Sequence, residues 1–239
     1  MAETPPRIAV LRTYKLYVGG AFPRSESGRS YPVTSADGSH LANAALASRK
    51  DVRDAVVAAR KAFPGWSGRT AYNRGQILYR VAEMMEGRRD QFAAEVAAAE
   101  GVGADRARAL VSAAVDRWVY YAGWADKISQ VLGGANPVAG PFFNLSEPEP
   151  TGVVGVVAPT GSSLLGLVSV LAPVITAGNT AVLVADERGA AAGDHAGRGA
   201  GHVRPAGRRG ERAHRAGRRA GPAPGRARGR ERARPRGRR

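Results

Sequence analysis

The 239-residue chain contains no cysteine, and this absence excludes several classes of chemistry. Disulfide frameworks, thiolate metal sites and cysteine nucleophiles all need the side chain that is missing. The first residues also lack a continuous apolar segment, because Arg7, Arg12 and Lys15 interrupt it, so we expect no secretory signal. Any chemistry of this chain must therefore use other groups.

Acidic and large apolar residues are scarce in one segment, residues 188–239. It holds 17 Arg and three acidic residues, and it contains no Ile, Leu, Met, Phe, Trp or Tyr. The formal charge of +16 therefore belongs mostly to this segment, whereas residues 1–187 carry a net charge of only +2. Such a composition cannot bury enough apolar surface to offset about 1–2 kcal/mol per residue of backbone entropy. We predict a domain over residues 1–187, followed by a disordered tail rich in Arg, Gly and Ala.

Residues 151–185 carry no charged side chain and are long enough to cross a bilayer. Residues that break helices and strands divide this stretch at Pro159, Gly161, Pro173 and Gly178. Each piece then has the length of a buried strand or helix. We therefore predict no membrane span and a cytoplasmic protein.

Helical patterns dominate the sequence after Ser48. Ser48 and Asp51 have the spacing of a capping box, and Pro64 is predicted to end the helix that they begin. Apolar stripes at helical spacing predict three more helices, over residues 70–86, 92–100 and 104–132. We interpret the aromatic side chains of these helices as core residues and not as cofactor contacts.

The pattern changes after Thr151. Residues 152–158 consist of glycine, valine and alanine, which is typical of a fully buried strand, and residues 180–184 predict a second strand. The apolar residues 162–175 predict a helix between them, and such a strand–helix–strand unit indicates a parallel sheet. We therefore predict an α/β protein in which N-terminal helices precede the start of a parallel, Rossmann-like cofactor-binding sheet. Ligands of such sheets bind beyond the carboxyl ends of the strands.

Several motifs occur together along the chain. The front has Tyr-Val-Gly-Gly at 17–20, followed by a helical pattern that ends near Trp66. Further along are Gly-Val-Val-Gly-Val-Val-Ala-Pro at 152–159, Ala-Pro at 172–173 and Ala-Gly-Asn-Thr-Ala-Val-Leu at 177–183. In this combination the sequence resembles the N-terminal part of the NAD(P)-dependent aldehyde dehydrogenase superfamily. The resemblance covers less than half of that family's usual length.

The resemblance implies aldehyde oxidation with NAD or NADP as the cofactor. In this family a cysteine attacks the aldehyde, a hydride passes to the nicotinamide, and water releases the acid. A thiolate suits the first step because it is already partly ionised near neutral pH. The family's cysteine and its glutamate base both lie beyond the matched region, and this chain has no cysteine at any position. We therefore expect a truncated, catalytically incomplete member of the family.

The resemblance also implies which residues contact the cofactor. They follow the two predicted strands and are Val157, Ala158, Pro159, Thr160, Val184 and Glu187. Where the family reads Pro-Trp-Asn-Phe-Pro, this chain reads Pro-Thr-Gly-Ser-Ser, so Gly161 replaces the asparagine whose amide helps to hold the oxyanion. Losing one such donor typically lowers the rate about 10²–10³-fold. No catalytic residue is therefore assigned.

A second departure from the family lies at residues 184–187. The family's Lys-Pro-Ser-Glu appears here as Val-Ala-Asp-Glu, so only Glu187 is retained of the two residues that reach the adenosine ribose. Both departures precede the basic tail and are independent of it. Two interpretations fit them, a divergent enzyme and a non-catalytic subunit that pairs with a dehydrogenase.

The composition of the tail indicates a shift of reading frame. Arg, Gly, Ala and Pro are the residues that a GC-rich gene encodes when it is read out of phase. A shifted frame reads bases two and three of each codon together with base one of the next codon. From Arg188 onward, the genetic code permits such a frame to encode a string that contains Pro-Gly-Gly-Val-Val-Asn. This string resembles the family's own continuation. We interpret residues 188–239 as the product of a frameshift near residue 187.

The basic tail allows an alternative role in nucleic-acid binding. Its 17 arginines attract phosphate, so we expect incidental binding to nucleic acid. The tail has no aromatic side chain on which bases could stack. Pairing with dehydrogenase-like subunits in a homo- or hetero-oligomer is another, since the family oligomerises through elements such as the hairpin near residue 17 and residues 142–151. No metal site is expected, because the tail histidines have no metal-binding pattern.

Overall fold

A computed structural model of the protein describes residues 11–185 and 201–202. The helices are α1 (Arg49–Ser67), α2 (Ala71–Glu86), α3 (Arg89–Glu100), α4 (Ala104–Trp124), α5 (Ile128–Leu132) and α6 (Leu165–Thr176). The strands are β1 (Thr13–Tyr14), β2 (Ser30–Thr34), β3 (His40–Ala45), β4 (Gly134–Ala135), β5 (Leu145–Ser146), β6 (Val153–Val157), β7 (Thr180–Val184) and β8 (Gly201–His202). The predicted α/β class is confirmed. Two predictions lie outside the described residues. They are the disorder of residues 188–239, of which only 201–202 are described, and the cofactor contact of Glu187.

The first sheet is formed by the three strands that precede α1 in the sequence. Strand β3 is central in it and pairs in parallel with β1 and antiparallel with β2. Between β1 and β2, Val18 and Ala21 exchange two backbone hydrogen bonds around a tight turn. The turn residues Gly19 and Gly20 have φ angles of +58° and +85°, a region that glycine enters without steric cost. A tight turn of two glycines therefore closes the hairpin near residue 17.

The main apolar core joins four helices to the second sheet. Each of its central side chains is at most 2% exposed, and these include Leu78 of α2, Val96 of α3, Val111 and Trp118 of α4, Leu171 of α6 and Leu183 of β7. Burying a side chain of this size contributes about 1.5–3 kcal/mol to folding. The helices therefore fix the position of the sheet.

None of the helices between residues 11 and 185 combines the length and the apolarity that a membrane crossing requires.

The second sheet has the strand order β6-β7-β8, and all of its pairs are parallel. The predicted parallel strand–helix–strand unit is confirmed, with α6 as the connecting helix. Strand β7 is covered on both faces. Leu183 faces the main core, whereas Val182 packs beneath α1 in a smaller cluster with Leu16, Ala47 and Ala55.

Strand β6 is not fully buried, which corrects the expectation from its sequence. Val156 faces the main core and is 6% exposed, but Val157 is 73% exposed and Gly155 is also exposed. Alternate residues of a strand point to opposite faces, so Gly155 and Val157 share the side away from Val156. The cluster beneath α1 reaches Val153 but not the carboxyl half of this strand. An apolar strip of the sheet is therefore left open there.

Helix α1 does not end at Pro64, which corrects a second expectation. It continues through this proline to Ser67, and the Gly68 N–H donates to the Pro64 carbonyl. A proline in the last turn removes only one donor, and Trp66 holds that turn in place because its indole N–H donates to the Ile175 carbonyl at 3.1 Å. The helix predicted over residues 104–132 is also interrupted, because α4 ends at Trp124 and α5 begins at Ile128.

The start of α1 is held by the predicted capping box. The Ser48 hydroxyl accepts from the Asp51 N–H at 3.2 Å, and the Asp51 carboxylate accepts from the Ser48 N–H at 2.7 Å. The same carboxylate accepts from the Ser25 hydroxyl at 2.7 Å and the Glu26 N–H at 3.2 Å. Burial raises the pKa of Asp51, but the hydrogen bonds from Ser48, Ser25 and Glu26 outweigh it, and the pKa lies below its ordinary value.

We expect Asp51→Ala to lower the free energy of unfolding by about 1–3 kcal/mol near neutral pH, because three donors lose their acceptor. The folded-state pKa of Asp51 is below the unfolded value of about 3.9, so the stabilisation is complete above that value and is lost as the pH falls through the folded pKa. Urea unfolding at neutral and at acid pH measures both effects. The exposed Asp54→Ala on the same helix is the control, with a change below about 0.5 kcal/mol. An Asp51 effect that is equally large in strong acid would contradict this assignment.

Candidate functional site

The carboxyl ends of β6 and β7 meet at one edge of the second sheet. The two strands run in register, so that Val157 lies beside Val184. The Ala158 N–H donates to the Val184 carbonyl at 2.9 Å, which extends the ladder one residue beyond β6. Three of the residues assigned to cofactor contact therefore lie next to one another. This edge is where parallel sheets bind ligands.

The loop from Pro159 to Ser163 leaves this edge and leads into α6. Pro159 is half-buried and Thr160 is exposed, and both predicted residues directly follow the end of β6 in sequence. Gly161 is exposed and has a φ angle of +76°. No atom lies within 4 Å of the position that a Cβ would take there. Asparagine tolerates this left-handed region better than most residues, so neither the backbone nor the space for a Cβ excludes the family's residue at Gly161.

A carboxylate already binds the residue that precedes the N-cap of α6. Glu100, the last residue of α3, accepts from the Ser163 N–H at 2.6 Å and from the Ser163 hydroxyl at 2.7 Å. The Ser162 hydroxyl accepts from the Gly166 N–H at 2.8 Å, so this serine satisfies one donor of the first turn of the helix. Because an anion already takes these donors, they are not free to hold a phosphate. Glu100 is 63 residues from Ser163 and was not singled out by the sequence.

The amino-terminal edge of the same two strands is closed by a different set of contacts. The Asn179 side-chain oxygen accepts from the Gly152 N–H at 2.9 Å and from the Thr151 hydroxyl at 3.1 Å. Arg74 lies nearby, with its guanidinium carbon 3.6 Å from the position of a Cβ on Gly178. Burial lowers the pKa of Arg74. These polar groups fix the strand ends and leave the carboxyl edge as the open one.

The residues at the carboxyl edge fit only part of a dinucleotide. Val157 is 73% exposed and offers an apolar side chain to a planar ring. Thr160 has an exposed hydroxyl, and Val184 is half-buried. None of the five described contact residues carries a charge, so they offer no cation to a diphosphate. The sixth, Glu187, lies outside the described residues.

The comparison with protein families decides the relationship. The model of the aldehyde dehydrogenase family matches residues 22–195. This chain belongs to the aldehyde dehydrogenase family. The resemblance seen in its sequence is therefore confirmed.

Individual relatives agree with this assignment. The mouse cytosolic 10-formyltetrahydrofolate dehydrogenase is 34% identical over 185 residues, which cover 74% of this chain and 20% of that protein. An aldehyde dehydrogenase of Davidiella tassiana is 34% identical over 188 residues, covering 78% of this chain and 37% of that protein. This chain thus spans well under half the length of the curated relatives that it matches.

Solved structures give the same fold and the same partial coverage. The HpcC structure from Thermus thermophilus matches with a TM-score of 0.76 and 26% identity, covering 81% of this chain and 39% of that one. The NAD-dependent aldehyde dehydrogenase of Sinorhizobium meliloti matches with a TM-score of 0.75 and 25% identity, covering 81% and 41%. PnpE in complex with nicotinamide adenine dinucleotide has a TM-score of 0.74 and 29% identity, covering 80% and 41%. The N-terminal part of the family fold is therefore present.

Proposed function

We propose that this chain is the cofactor-side part of an aldehyde dehydrogenase and that it holds the ring portion of NAD at the carboxyl edge of β6 and β7. The observation that carries this proposal is the exposed Val157 at the end of a parallel strand, in a chain of this family. Ligands of parallel sheets bind at this end of the strands, and ligand sites are lined mainly by apolar side chains, so a valine here fits a cofactor ring. The family's route to aldehyde oxidation needs a cysteine nucleophile, and these 239 residues contain no cysteine.

The residues of this chain would then act as a binding surface. When bound, the cofactor accepts a hydride. Val157 would pack against the ring of the cofactor. The backbone of Ala158 and the hydroxyl of Thr160 lie at the same edge and would orient the ring by hydrogen bonds. Gly161 has no side-chain amide, so this position could offer only its backbone to a developing oxyanion.

NAD rather than NADP is the cofactor that we propose. Residues 184–187 read Val-Ala-Asp-Glu, so the family's lysine is absent and two neighbouring acids are present. An acidic residue in this region pairs with a free ribose hydroxyl and repels a 2′-phosphate. The missing lysine removes the cation that a phosphate would need.

Binding of NAD to the purified chain tests this proposal. We expect weak binding, with a dissociation constant on the order of 1 mM or more, because the described edge offers no partner for the diphosphate. NADP should bind at least about tenfold more weakly than NAD, and Val157→Asp should weaken NAD binding by a similar factor. Saturation-transfer NMR with each cofactor measures the constants.

The control substitution is Val138→Asp, since Val138 is also exposed, at 40%, but lies in the segment between β4 and β5. It should leave NAD binding unchanged. NADP binding that equals or exceeds NAD binding would remove the cofactor assignment. Equal effects of the two aspartate substitutions would remove the assignment of the site.

We also propose that the β4–β5 hairpin contacts another dehydrogenase-like subunit. Phe142, Phe143 and Leu145 are 75%, 85% and 56% exposed on it. Neighbouring large apolar residues of this kind mark interaction surfaces.

The frameshift near residue 187 stays our interpretation of the tail, and a cytoplasmic location stays a prediction. Nothing found supports nucleic-acid binding.

A further inference from the structure

Strand β6 is the outer strand of the second sheet, because among the described residues it pairs with β7 alone. At the two ends of this pairing, the Gly152 carbonyl accepts from the Thr180 N–H at 3.0 Å, and the Ala158 N–H donates to the Val184 carbonyl at 2.9 Å. The backbone groups of successive residues point to opposite sides of a strand. The even-numbered residues from 152 to 158 therefore bond to β7, and the odd-numbered ones point away from it.

The open side of β6 thus consists of the backbone N–H and C=O groups of Val153, Gly155 and Val157. Such groups on an outer strand are a template for pairing with another strand. One face of the sheet leaves them accessible, because Gly155 is exposed and Val157 is 73% exposed. Charged side chains and prolines usually protect an outer strand, and β6 has neither. The open side is therefore fit to pair.

The sequence of β6 reads the same in both directions. It is Val-Val-Gly-Val-Val, with Gly155 at the centre. Two such strands can pair antiparallel about a two-fold axis at Gly155. Val153 then lies opposite Val157 of the second copy, and Val154 lies opposite Val156. In this register the three outward-pointing residues fall in pairs that each exchange two hydrogen bonds, so every backbone group of the open side finds a partner.

The same register matches the two faces of the sheet. Val154 and Val156 pack on the main core, so they become neighbours on that face. On the other face, the exposed Val157 comes to lie beside Val153 of the second copy, which packs beneath α1. Valine side chains pack well as cross-strand neighbours. An axis at Val154 or Val156 would instead use backbone groups that already bond to β7.

We propose that two copies of this chain associate through the open side of β6, antiparallel and in register about Gly155. The partner is a second copy because the strand is complementary to itself, and a two-fold pair of this kind closes at two chains. The proposal depends on the backbone of β6. It rests neither on NAD binding nor on the frameshift, and it uses a different surface from the β4–β5 hairpin.

The molar mass of the purified full chain in solution tests the proposal, since a single chain has a mass of 25.0 kDa. Sedimentation equilibrium should show monomer and dimer, with a dissociation constant on the order of 10–100 μM, because the interface is small. Salt at about 0.3 M screens the repulsion between two chains of charge +16. A chain that stays monomeric up to about 1 mM would overturn the proposal.

Two substitutions at Gly155 locate the interface. Gly155→Pro should abolish the dimer, because proline removes the central N–H of the open side, which β7 does not use. Gly155→Ala is the matched control. It keeps the N–H, and its Cβ meets no atom within 4 Å, so the dimer should persist. Circular dichroism shows whether each variant is folded. A folded Gly155→Pro variant that dimerises as before would place the contact on another surface and overturn the proposal.

A single introduced cysteine tests the register without proline. The chain has no cysteine of its own, so Gly155→Cys can form a disulfide only between copies. Opposite residues of a hydrogen-bonded antiparallel pair have Cα atoms about 5.5 Å apart, which suits a disulfide. The control is the exposed Thr151→Cys, whose Cα atoms would lie roughly 25 Å apart in this register. Under mild oxidation Gly155→Cys should cross-link at least about tenfold faster than the control. Equal rates would overturn the proposal.

Discussion

Purified chain mixed with an aldehyde and NAD is expected to form no NADH. Aldehyde oxidation in this family starts with a cysteine thiolate, and none of the 239 residues is a cysteine. A thiolate forms the covalent intermediate from which the hydride leaves, and no hydroxyl is an adequate substitute without a neighbouring base. Gly161 further removes the side-chain amide that would hold the oxyanion. The expected rate is therefore that of the mixture without protein.

A dehydrogenase of the same family with its cysteine, assayed in the same mixture, is the positive control. Gly161→Asn is the matched variant, because a Cβ at this position meets no atom within 4 Å, and it too should give no NADH. NADH formation that requires both the chain and the aldehyde would contradict this account. It would show that another group of the chain serves as the nucleophile.

The substitution Leu183→Ala is expected to lower the free energy of unfolding by about 2–5 kcal/mol. Leu183 is fully buried in the middle of the second sheet, where it contacts the main core. Removing its side chain costs the transfer of the lost methyl groups and leaves a cavity in a strand that is covered on both faces. Such a loss is a large part of the stability of an average domain. Urea unfolding followed by circular dichroism measures it.

Leu132→Ala is the matched control, since Leu132 of α5 is 68% exposed. It should change the free energy of unfolding by less than about 0.5 kcal/mol. Similar effects of the two substitutions would mean that β7 is not packed in solution as the structure describes. The position of the carboxyl edge would then lose its support, because β7 forms half of that edge.

Local signals predicted the fold best. The capping box of Ser48 and Asp51 and the helix end at Gly101 depend on residues close together in sequence, and the structure has both. Pro64 shows the limit of such signals. The local rule counts the donor that proline removes, but the last turn of α1 is held by the contact of Trp66 with Ile175, 109 residues away.

The burial of a strand was harder to predict because it depends on other layers. The run at 152–158 is apolar throughout, and its sequence does not show that the face with Val157 stays open. The sequence did place the predicted contacts correctly relative to the strand ends, since Val157 and Val184 are neighbours at one edge. Whether they bind a cofactor stays a prediction.

Contacts between distant segments could not be predicted from the sequence. Glu100 and Ser163 belong to different parts of the chain, and no motif links them. An apolar cavity of about 300 Å³ lies among α1, α2, α4, α6 and β7, so it exists only once these elements are packed together. Sites of this kind depend on the angles between elements, for which one sequence carries no local signal.

We interpret residues 1–187 as the beginning of an aldehyde dehydrogenase whose continuation lies in another reading frame. Sequencing the gene from the codon of Thr180 through the DNA that follows, with translation in all phases, tests this most directly. We expect a second phase to continue the family pattern from near residue 187, to contain Pro-Gly-Gly-Val-Val-Asn further along and then to encode the family's catalytic domain. If the present frame is confirmed and no phase continues the family, the basic tail is genuine and the frameshift interpretation is wrong.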